Sequence, residues 1–300
     1  MGLIIPENFG TLLEPGLREV FFAGMTEVPE VYSKVFHVFD SNQSTEQDLD
    51  IVGLGDWEQI DDGEMLELDE IEEGYGVTYE HLTYKKGFKV TRDLLEDDRY
   101  HVFSNQAKLL GRGAAETRER TAAAILNNAF STNNTGGDGE PLCSDGHPYK
   151  SLSGTQDNIG SAALDTDALK DARTGLLSQL NSRKQKITFS PNLLLVVPPE
   201  LHDTALLLSN SRNEPGTANN DINVNYGRYQ VICMPHLSSA SAWFLIDPAV
   251  SRLNFFWRVK PDFRQAEILS TDAVMFRGRM RFSCGFSDWR GIWGSTGVGA

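Results

Sequence analysis

The sequence predicts an α+β fold, and three observations predict it. Between Val35 and Tyr84 there are fifteen Asp/Glu and no Lys or Arg, in an alternating, strand-like pattern. A helical periodicity then runs from Asp98 to Ala129, longer than the usual globular helix. Strand-sized apolar runs, Leu193–Val197 foremost, cluster in the second half. Helices and strands are grouped and do not strictly alternate, which fits α+β better than a doubly wound sheet.

The charge is unevenly placed. The 300 residues hold 42 Asp/Glu and 27 Lys/Arg, a formal net charge of −15. Without the fifteen acids of residues 35–84 the remainder carries 27 of each sign and is neutral. A neutral body with one acidic, alternating segment predicts an arm that lies on something else, with another copy of the chain as the expected partner. Sixteen Phe and five Trp are ample for a packed core. Cys143, Cys233 and Cys284 are far apart and odd in number, which argues against a disulfide framework and for a reducing compartment. No apolar run approaches the roughly 18 residues that span a membrane. Met1–Pro6 lacks a basic leader region and the myristoylation pattern, so a protein made and used in a cytoplasm is expected.

Taken in order, residues 1–34 contain Pro6, Pro15 and Pro29 and read as an extended arm with a helical turn or two around Leu17–Met25. Leu66-Glu67-Leu68-Asp69 alternates, Gly74 and Gly76 punctuate, and a β-rich run closes at Phe88-Lys89-Val90. The acidic limb Glu64–Glu73 is expected to pair with a returning limb that is basic at Lys85, Lys86 and Lys89, at about 0.2–1 kcal/mol per opposite-charge pair. In the long helix, small or apolar residues recur at Phe103, Ala107, Leu110, Ala114, Thr121, Ile125 and Ala129. Thirty-two helical residues would span roughly 48 Å, and Gly111 and Gly113 are expected to bend that helix. A polar loop covers 131–161. Leu169, Ala172, Leu176, Leu177 and Leu180 mark a second amphipathic helix, and Pro198-Pro199 starts a short one. Arg228–Met234, Ala242–Ile246, Leu253–Val259 and Val274–Phe286 are strand candidates.

Few residues suggest chemistry. Gly111-Arg112-Gly113-Ala114-Ala115-Glu116 lacks the last glycine of a dinucleotide loop and follows a helix, so it holds no phosphate. Cys143, Asp145 and His147 supply too few ligands for a structural zinc and nothing that lowers a thiol pKa, so an inward-tucked Cys143 is expected. Asp61-Asp62-Gly63-Glu64 lacks calcium-loop spacing and reads as a solvated turn. Arg277, Arg279 and Arg281 alternate with Phe276, Met280 and Phe282 to give a strand with one basic face, read as an intersubunit ionic strip because the net charge opposes tight DNA binding.

Three blocks then carry a family resemblance. One runs from Tyr84-Lys85-Lys86-Gly87-Phe88-Lys89-Val90 through Arg99-Tyr100 to Gly111-Arg112-Gly113-Ala114-Ala115-Glu116. The second is Cys143-Ser144-Asp145-Gly146-His147-Pro148, and the third is Ala168-Leu169-Lys170-Asp171-Ala172-Arg173 continuing to Leu193–Leu201. In this order they resemble the major capsid protein of tailed bacteriophages, the Hong Kong ninety-seven fold, most nearly its Mu-type major head subunit family. The resemblance implies an N-terminal arm at 1–47, an extended β-hairpin loop at 48–92 and a peripheral domain at 93–190 with a spine helix at about 98–129. It further implies an axial domain at 191–250 and a return to the peripheral domain at 251–300.

The function so implied is an icosahedral shell of hexamers and pentamers around double-stranded DNA that is enclosed without specific binding. No catalysis, cofactor, metal or membrane is implied; the place is the virion, with assembly in a host cytoplasm. A separate scaffolding protein and a portal are expected, since only some fifty residues precede the loop, and a decoration protein is a further possible partner. Lys85 or Lys86 could be imagined in the covalent Lys–Asn cross-link of some relatives, but no motif supports it. The expected assembly contacts are Glu67, Asp69 and Glu70 of one copy against Arg112, Arg118 and Arg120, or Arg277, Arg279 and Arg281, of a neighbour, with Lys85 and Lys86 also at the contact. Leu66, Leu68, Val77 and Leu82 would supply apolar area. An encapsulin-like compartment of the same fold is the rival reading, and a Cys143–His147 hydrolase is a weaker one.

Overall fold

The computed structural model describes residues 7–52, 59–61, 65, 68, 72–91, 100–150, 152–214, 221–268, 270 and 273–298. The elements are α1 (Glu7–Thr26), α2 (Tyr32–Val35), β1 (His37–Asp40), β2 (Thr45–Val52), β3 (Glu72–Glu80), β4 (Leu82–Thr91) and α3 (Tyr100–Asn127). Next come β5 (His147–Pro148), β6 (Thr155–Gln156), β7 (Ile159–Gly160), α4 (Thr166–Ser178) and β8 (Leu193–Val197). After a short 3-10 turn at Pro199–Leu201, the chain forms α5 (His202–Asn210), β9 (Tyr229–Cys233), β10 (Trp243–Ile246), β11 (Leu253–Ile268), β12 (Ala273–Phe286) and β13 (Ile292–Ser295). Four strands form one sheet in the order β1-β11-β12-β4, and five form another in the order β7-β13-β10-β8-β9.

The apolar runs of the second sheet divide between two cores by simple alternation. Leu194 and Val196 of β8, with Phe244 and Ile246 of β10, join Leu126, Phe255 and Phe282 in one core. Leu193, Leu195 and Val197, with Trp243 and Leu245, join Leu169 and Leu176 of α4 in another. A strand covered on both faces reads as a continuous apolar run, so Leu193–Val197 shows no polar alternation. Asp165 caps α4 by accepting a 2.7 Å hydrogen bond from the Ala168 N–H.

The N-terminal segment departs from the extended arm expected of it. Residues Glu7–Thr26 are helical despite Pro15, and Leu17 and Phe21 are buried with Ala107, Phe263 and Phe276. Burying side chains of this size contributes roughly 1.5–3 kcal/mol each, enough to override one poor helix former. The contact also accounts for Gly111. A methyl group there would fall on the Phe21 carbonyl oxygen, and one at Gly24 on the Lys108 carbonyl oxygen. The two glycines let α1 and α3 meet backbone to backbone. Over its described residues α3 is one unbroken helix, and Gly111 marks the crossing with α1.

The expected hairpin is also re-paired. β3 lies antiparallel to β2, from Thr45 opposite Glu80 to Val52 opposite Glu72, with a register shift between Leu49 and Ile51. Both limbs of this ribbon are acidic. β4, with Lys85, Lys86 and Lys89, pairs instead with β12, which sets Lys85 opposite Arg279. A cross-strand charge pair is worth at most about 1 kcal/mol, whereas β4 buries Val90 and packs Tyr84 on Phe282 and Phe88 on Phe276. Apolar burial decides the partner.

The ribbon is fixed to its own subunit at its base. Asp48 accepts hydrogen bonds from Asn254 Nδ2 at 2.9 Å and from the Ser287 hydroxyl, and it pairs with Arg252 at 3.5 Å. Tyr79 packs on Phe256 at 5.0 Å between ring centres, and burial pushes its hydroxyl pKa up to about 12. A single residue, His81, separates β3 from β4. Its ring is buried, with Nε2 3.0 Å from Ser41 Oγ and Nδ1 3.0 Å from Ser283 Oγ. Burial first, then Arg281 and Arg258, lower its pKa, against an opposing push from Glu46. The ribbon thus leaves the sheet through a neutral histidine.

Two predictions follow from these contacts. Gly111→Ala should lower the urea unfolding midpoint by the equivalent of about 1–3 kcal/mol, as overpacking does. Gly113→Ala, with open space around it, should be neutral or gain about 0.5–1 kcal/mol. Equal effects would refute the crossing. Because folding favours the neutral His81 ring, its contribution is whole above pH ~6.5 and drains away as pH falls below that value. Hydrogen-exchange protection factors around Tyr79–Thr83, corrected for the intrinsic pH dependence of exchange, should therefore fall on acidification, and His81→Gln should flatten the response.

Candidate functional site

The sheet alternation sorts the basic residues into two sets. Arg277 stands opposite Gly87 and Arg264, Arg279 opposite Lys85 and Asp262, and Arg281 opposite Thr83. Directly opposed residues share a face, so Lys85, Arg264, Arg277, Arg279 and Arg281 lie on the face turned away from α3. Asp262 sits among them and pairs with Arg264 at 2.6 Å. Arg281 Nε donates to the His81 carbonyl at 3.1 Å, which ties the strip to the base of the ribbon. Arg279 Nε is buried with no hydrogen-bond partner among the described residues. Lys86, opposite Gly278, lies on the α3 side. A groove of about 510 Å³ there runs between α3 and β4.

The basic residues of α3 divide as well. Arg112 is about half exposed, 4.0 Å from Glu116, and Arg120 is exposed. Arg118 is different, and its expected role as a neighbour's contact is corrected. It is buried, 3.2 Å from Glu119 Oε1, with its guanidinium 4.6 Å above the Tyr32 ring. Glu119 Oε2 accepts hydrogen bonds from the N–H groups of Tyr32 at 2.9 Å and Val31 at 3.3 Å. This pair braces α2 against α3 inside the subunit. Sequence inspection passed over Glu119, whose only signal was a charge among Ala115, Ala122 and Ala123 on a buried stripe.

On the acidic side, Glu67, Asp69 and Glu70 lie outside the described residues. Asp48 and Asp50 face Arg252, and Asp40 meets Lys260 at 2.9 Å on the surface. Of the apolar residues expected to be covered, Leu66 lies outside the described residues, Val77 is half-buried, and Leu68 and Leu82 are 82% and 58% exposed. Met65 is 96% exposed. These are large apolar groups with little cover from their own subunit.

The Cys143–His147 pair is not arranged for nucleophilic chemistry. Cys143 is fully buried, and burial pushes its thiol well above the ordinary range. A thiol held protonated is a poor nucleophile. His147 is engaged elsewhere, with Nδ1 2.7 Å from Asp138 Oδ2, Nε2 3.1 Å from Asn158 Oδ1, and its ring stacked 4.2 Å from Trp289. Asn158 in turn donates to the carbonyls of Leu142 and Ile292, so the histidine helps pin the 131–160 loop to the second sheet. Cys284 is likewise raised by burial, to about 12. Among the described residues no three His, Cys, Asp or Glu side chains group to hold a metal, and no helix is long and apolar enough to cross a membrane. Asp62, Gly63 and Glu64 of the acidic turn lie outside the described residues.

No curated protein sequence matches this chain. Solved structures do match in fold. The procapsid of bacteriophage JBD30 covers 97% of this chain and 76% of its own at 16% identity, with a TM-score of 0.54. Mycobacterium phage Che8 matches at 14% identity over 91% of this chain and 93% of its own, TM-score 0.55. A virus-like particle from Pyrococcus furiosus matches at 13% identity over 94% and 99%, TM-score 0.53. Likenesses at such identity establish the mixed helix-and-sheet fold. The sequence itself establishes more: a family model described as phage capsid protein matches residues 74–295, most of the chain, and this chain belongs to the phage capsid protein family.

Proposed function

We propose that this chain is the major head protein of a tailed phage, the repeated subunit of an icosahedral shell of hexamers and pentamers, without catalytic activity. The observation that carries the reading, beside family membership, is the acidic ribbon. It is anchored through Asp48, Tyr79 and His81, yet Met65 and Leu68 beyond its paired limbs are 96% and 82% exposed. In a shell such groups find cover on a neighbour. Exposed ion pairs contribute only about 0–1 kcal/mol each, so Glu67, Asp69 and Glu70 set register and guide encounter while apolar area and repetition supply stability. The facing basic residues are drawn from Lys85, Lys86, Arg112, Arg120, Arg277, Arg279 and Arg281.

In this reading α3 and the four-stranded sheet form the peripheral part of the subunit, and the five-stranded sheet with α4 and α5 forms the axial part. The axial sheet also takes in Ile159–Gly160 and Ile292–Ser295, so a single cut at 191–250 does not enclose it. The narrower Mu-type assignment rests on the blocks between residues 84 and 201. A scaffolding protein, a portal and a decoration protein are proposed partners, and assembly belongs in a host cytoplasm. With a net charge of −15, the shell encloses double-stranded DNA without gripping it. The rival encapsulin-like compartment draws on the full-length fit to the Pyrococcus furiosus particle; a cargo-peptide groove on the inner wall would favour it.

Negative-stain microscopy of the expressed protein should show shells, rings or tubes, and a stable monomer at high concentration would count decisively against the proposal. Reversing Glu67, Asp69 and Glu70 to Lys should slow assembly and lower the heat resistance of the particles. Unchanged particles would remove the acidic limb from the account, as strong salt-sensitive DNA binding by the subunit would refute enclosure of DNA without grip.

A further inference from the structure

His147 and Asp138 form a buried pair that the shell reading leaves without a role. Their side chains are 0% and 5% exposed, with His147 Nδ1 2.7 Å from Asp138 Oδ2. Across the ring, Nε2 lies 3.1 Å from Asn158 Oδ1. The other contacts of Asn158 settle which way its amide points. Its Nδ2 donates to the Leu142 carbonyl at 2.9 Å and the Ile292 carbonyl at 3.2 Å, while Oδ1 accepts from the Ser144 N–H at 2.9 Å. Turned over, the amide would set an oxygen against two carbonyls and an amino group against an N–H. Oδ1 is therefore an acceptor, and Nε2 must carry a proton to meet it. Nδ1 faces a carboxyl group, and that short contact needs a proton as well. By ordinary values, about 3.9 for Asp and about 6.5 for His, the carboxyl is the stronger acid, which leaves both protons on the ring.

We infer that His147 is held as an imidazolium and that its charge closes a strap between the second sheet and the acidic ribbon. At one end, Asn158 is bound to β13 through the Ile292 carbonyl, and the Gly294 N–H donates to the Asn158 carbonyl at 3.0 Å. At the other end, the turn that carries Asp138 lies against β3. A methyl group at Gly137 would come 2.9 Å from the Gly76 carbonyl oxygen and 3.0 Å from Tyr75 Cβ. Lys150, beyond His147 in the same loop, donates to the Gly74 carbonyl and lies 5.7 Å from the Tyr75 ring centre. Burial first, then the Asp138 charge, raise the Tyr75 hydroxyl pKa, against an opposing pull from Arg290. The other charges around the pair are already engaged. Glu140 accepts from the Ser144 hydroxyl at 2.8 Å, and Arg290 lies 5.0 Å over the Trp289 ring while paired with Asp288 at 3.1 Å. Loss of either member would strand a buried charge, so the strap holds only as a pair.

Nitrogen NMR of the full chain, labelled at histidine, tests the charge, with His147→Gln identifying the signals. Both ring nitrogens of His147 should carry a proton at neutral pH. Asp138→Asn supplies an amide that donates to Nδ1, so one proton should leave the ring while the loop keeps its place. A bare ring nitrogen in the unmodified chain would overturn the charged strap. Hydrogen exchange tests the coupling. His147→Gln should lower protection across Gly74–Val77 about tenfold, the order of one lost charge-assisted hydrogen bond. Ribbon amides that stay protected while residues 136–150 loosen would overturn it. Should His147→Gln fail to fold, Asp138→Asn identifies the signals and Lys150→Met tests the coupling from the ribbon side. That variant leaves the buried pair untouched, so it should weaken protection across Gly74–Val77 and keep both ring protons. Unchanged protection there would again refute the strap.

Discussion

Strand β12 must bury Phe276, Met280 and Phe282 against the helices, and a strand can bury only every second residue on one face. Arg277, Arg279 and Arg281 are therefore sent to the other face, whatever their charge would prefer. β4 takes its place beside β12 because Val90, Phe88 and Tyr84 extend the same buried row. That choice sets Lys85 opposite Arg279 and leaves β3 free to pair with β2. The position of the basic strip, the course of the acidic ribbon and the groove beside α3 all descend from the alternation of this one strand.

At its root the acidic segment is met by cations of its own subunit. Asp48 and Asp50 face Arg252, and Asp40 faces Lys260, so the limb nearest the body is compensated. Asp48 is also held by Asn254 and Ser287, and charge-assisted bonds of this kind are the stronger class. The charge separation is thus both a brace at the root of the ribbon and an instruction for what lies beyond it.

Much of this architecture was legible in the sequence, and the misses have physical reasons. Helix α3, read as 98–129, is observed at Tyr100–Asn127 because its signal is local and long. β8, β9, β10 and β12 were found because buried strands announce themselves as apolar runs bounded by turn residues. Helix α1 was read only as a turn or two around Leu17–Met25 because its support is tertiary: Pro15 argues locally against a longer helix, while the Phe21 contact with α3 is invisible in the sequence. The ribbon was mispaired because charge complementarity is conspicuous and weak, whereas the deciding term was the burial of Val90 and its neighbours. β13 escaped for being short and interrupted by Gly294, and its place in the second sheet depends on a non-local partner, Trp243–Ile246. Arg118 counted among surface cations because nothing local shows that Tyr32 and Glu119 enclose it.

The core shared by the two sheets has a mechanical consequence. Leu194, Val196, Phe244 and Ile246 belong to the same packed cluster as Phe255 and Phe282. Shearing one lobe past the other would open voids, at roughly 24 cal/mol for each Å³ left empty. A subunit built this way resists internal shear, so the two sheets carry load as one packed body.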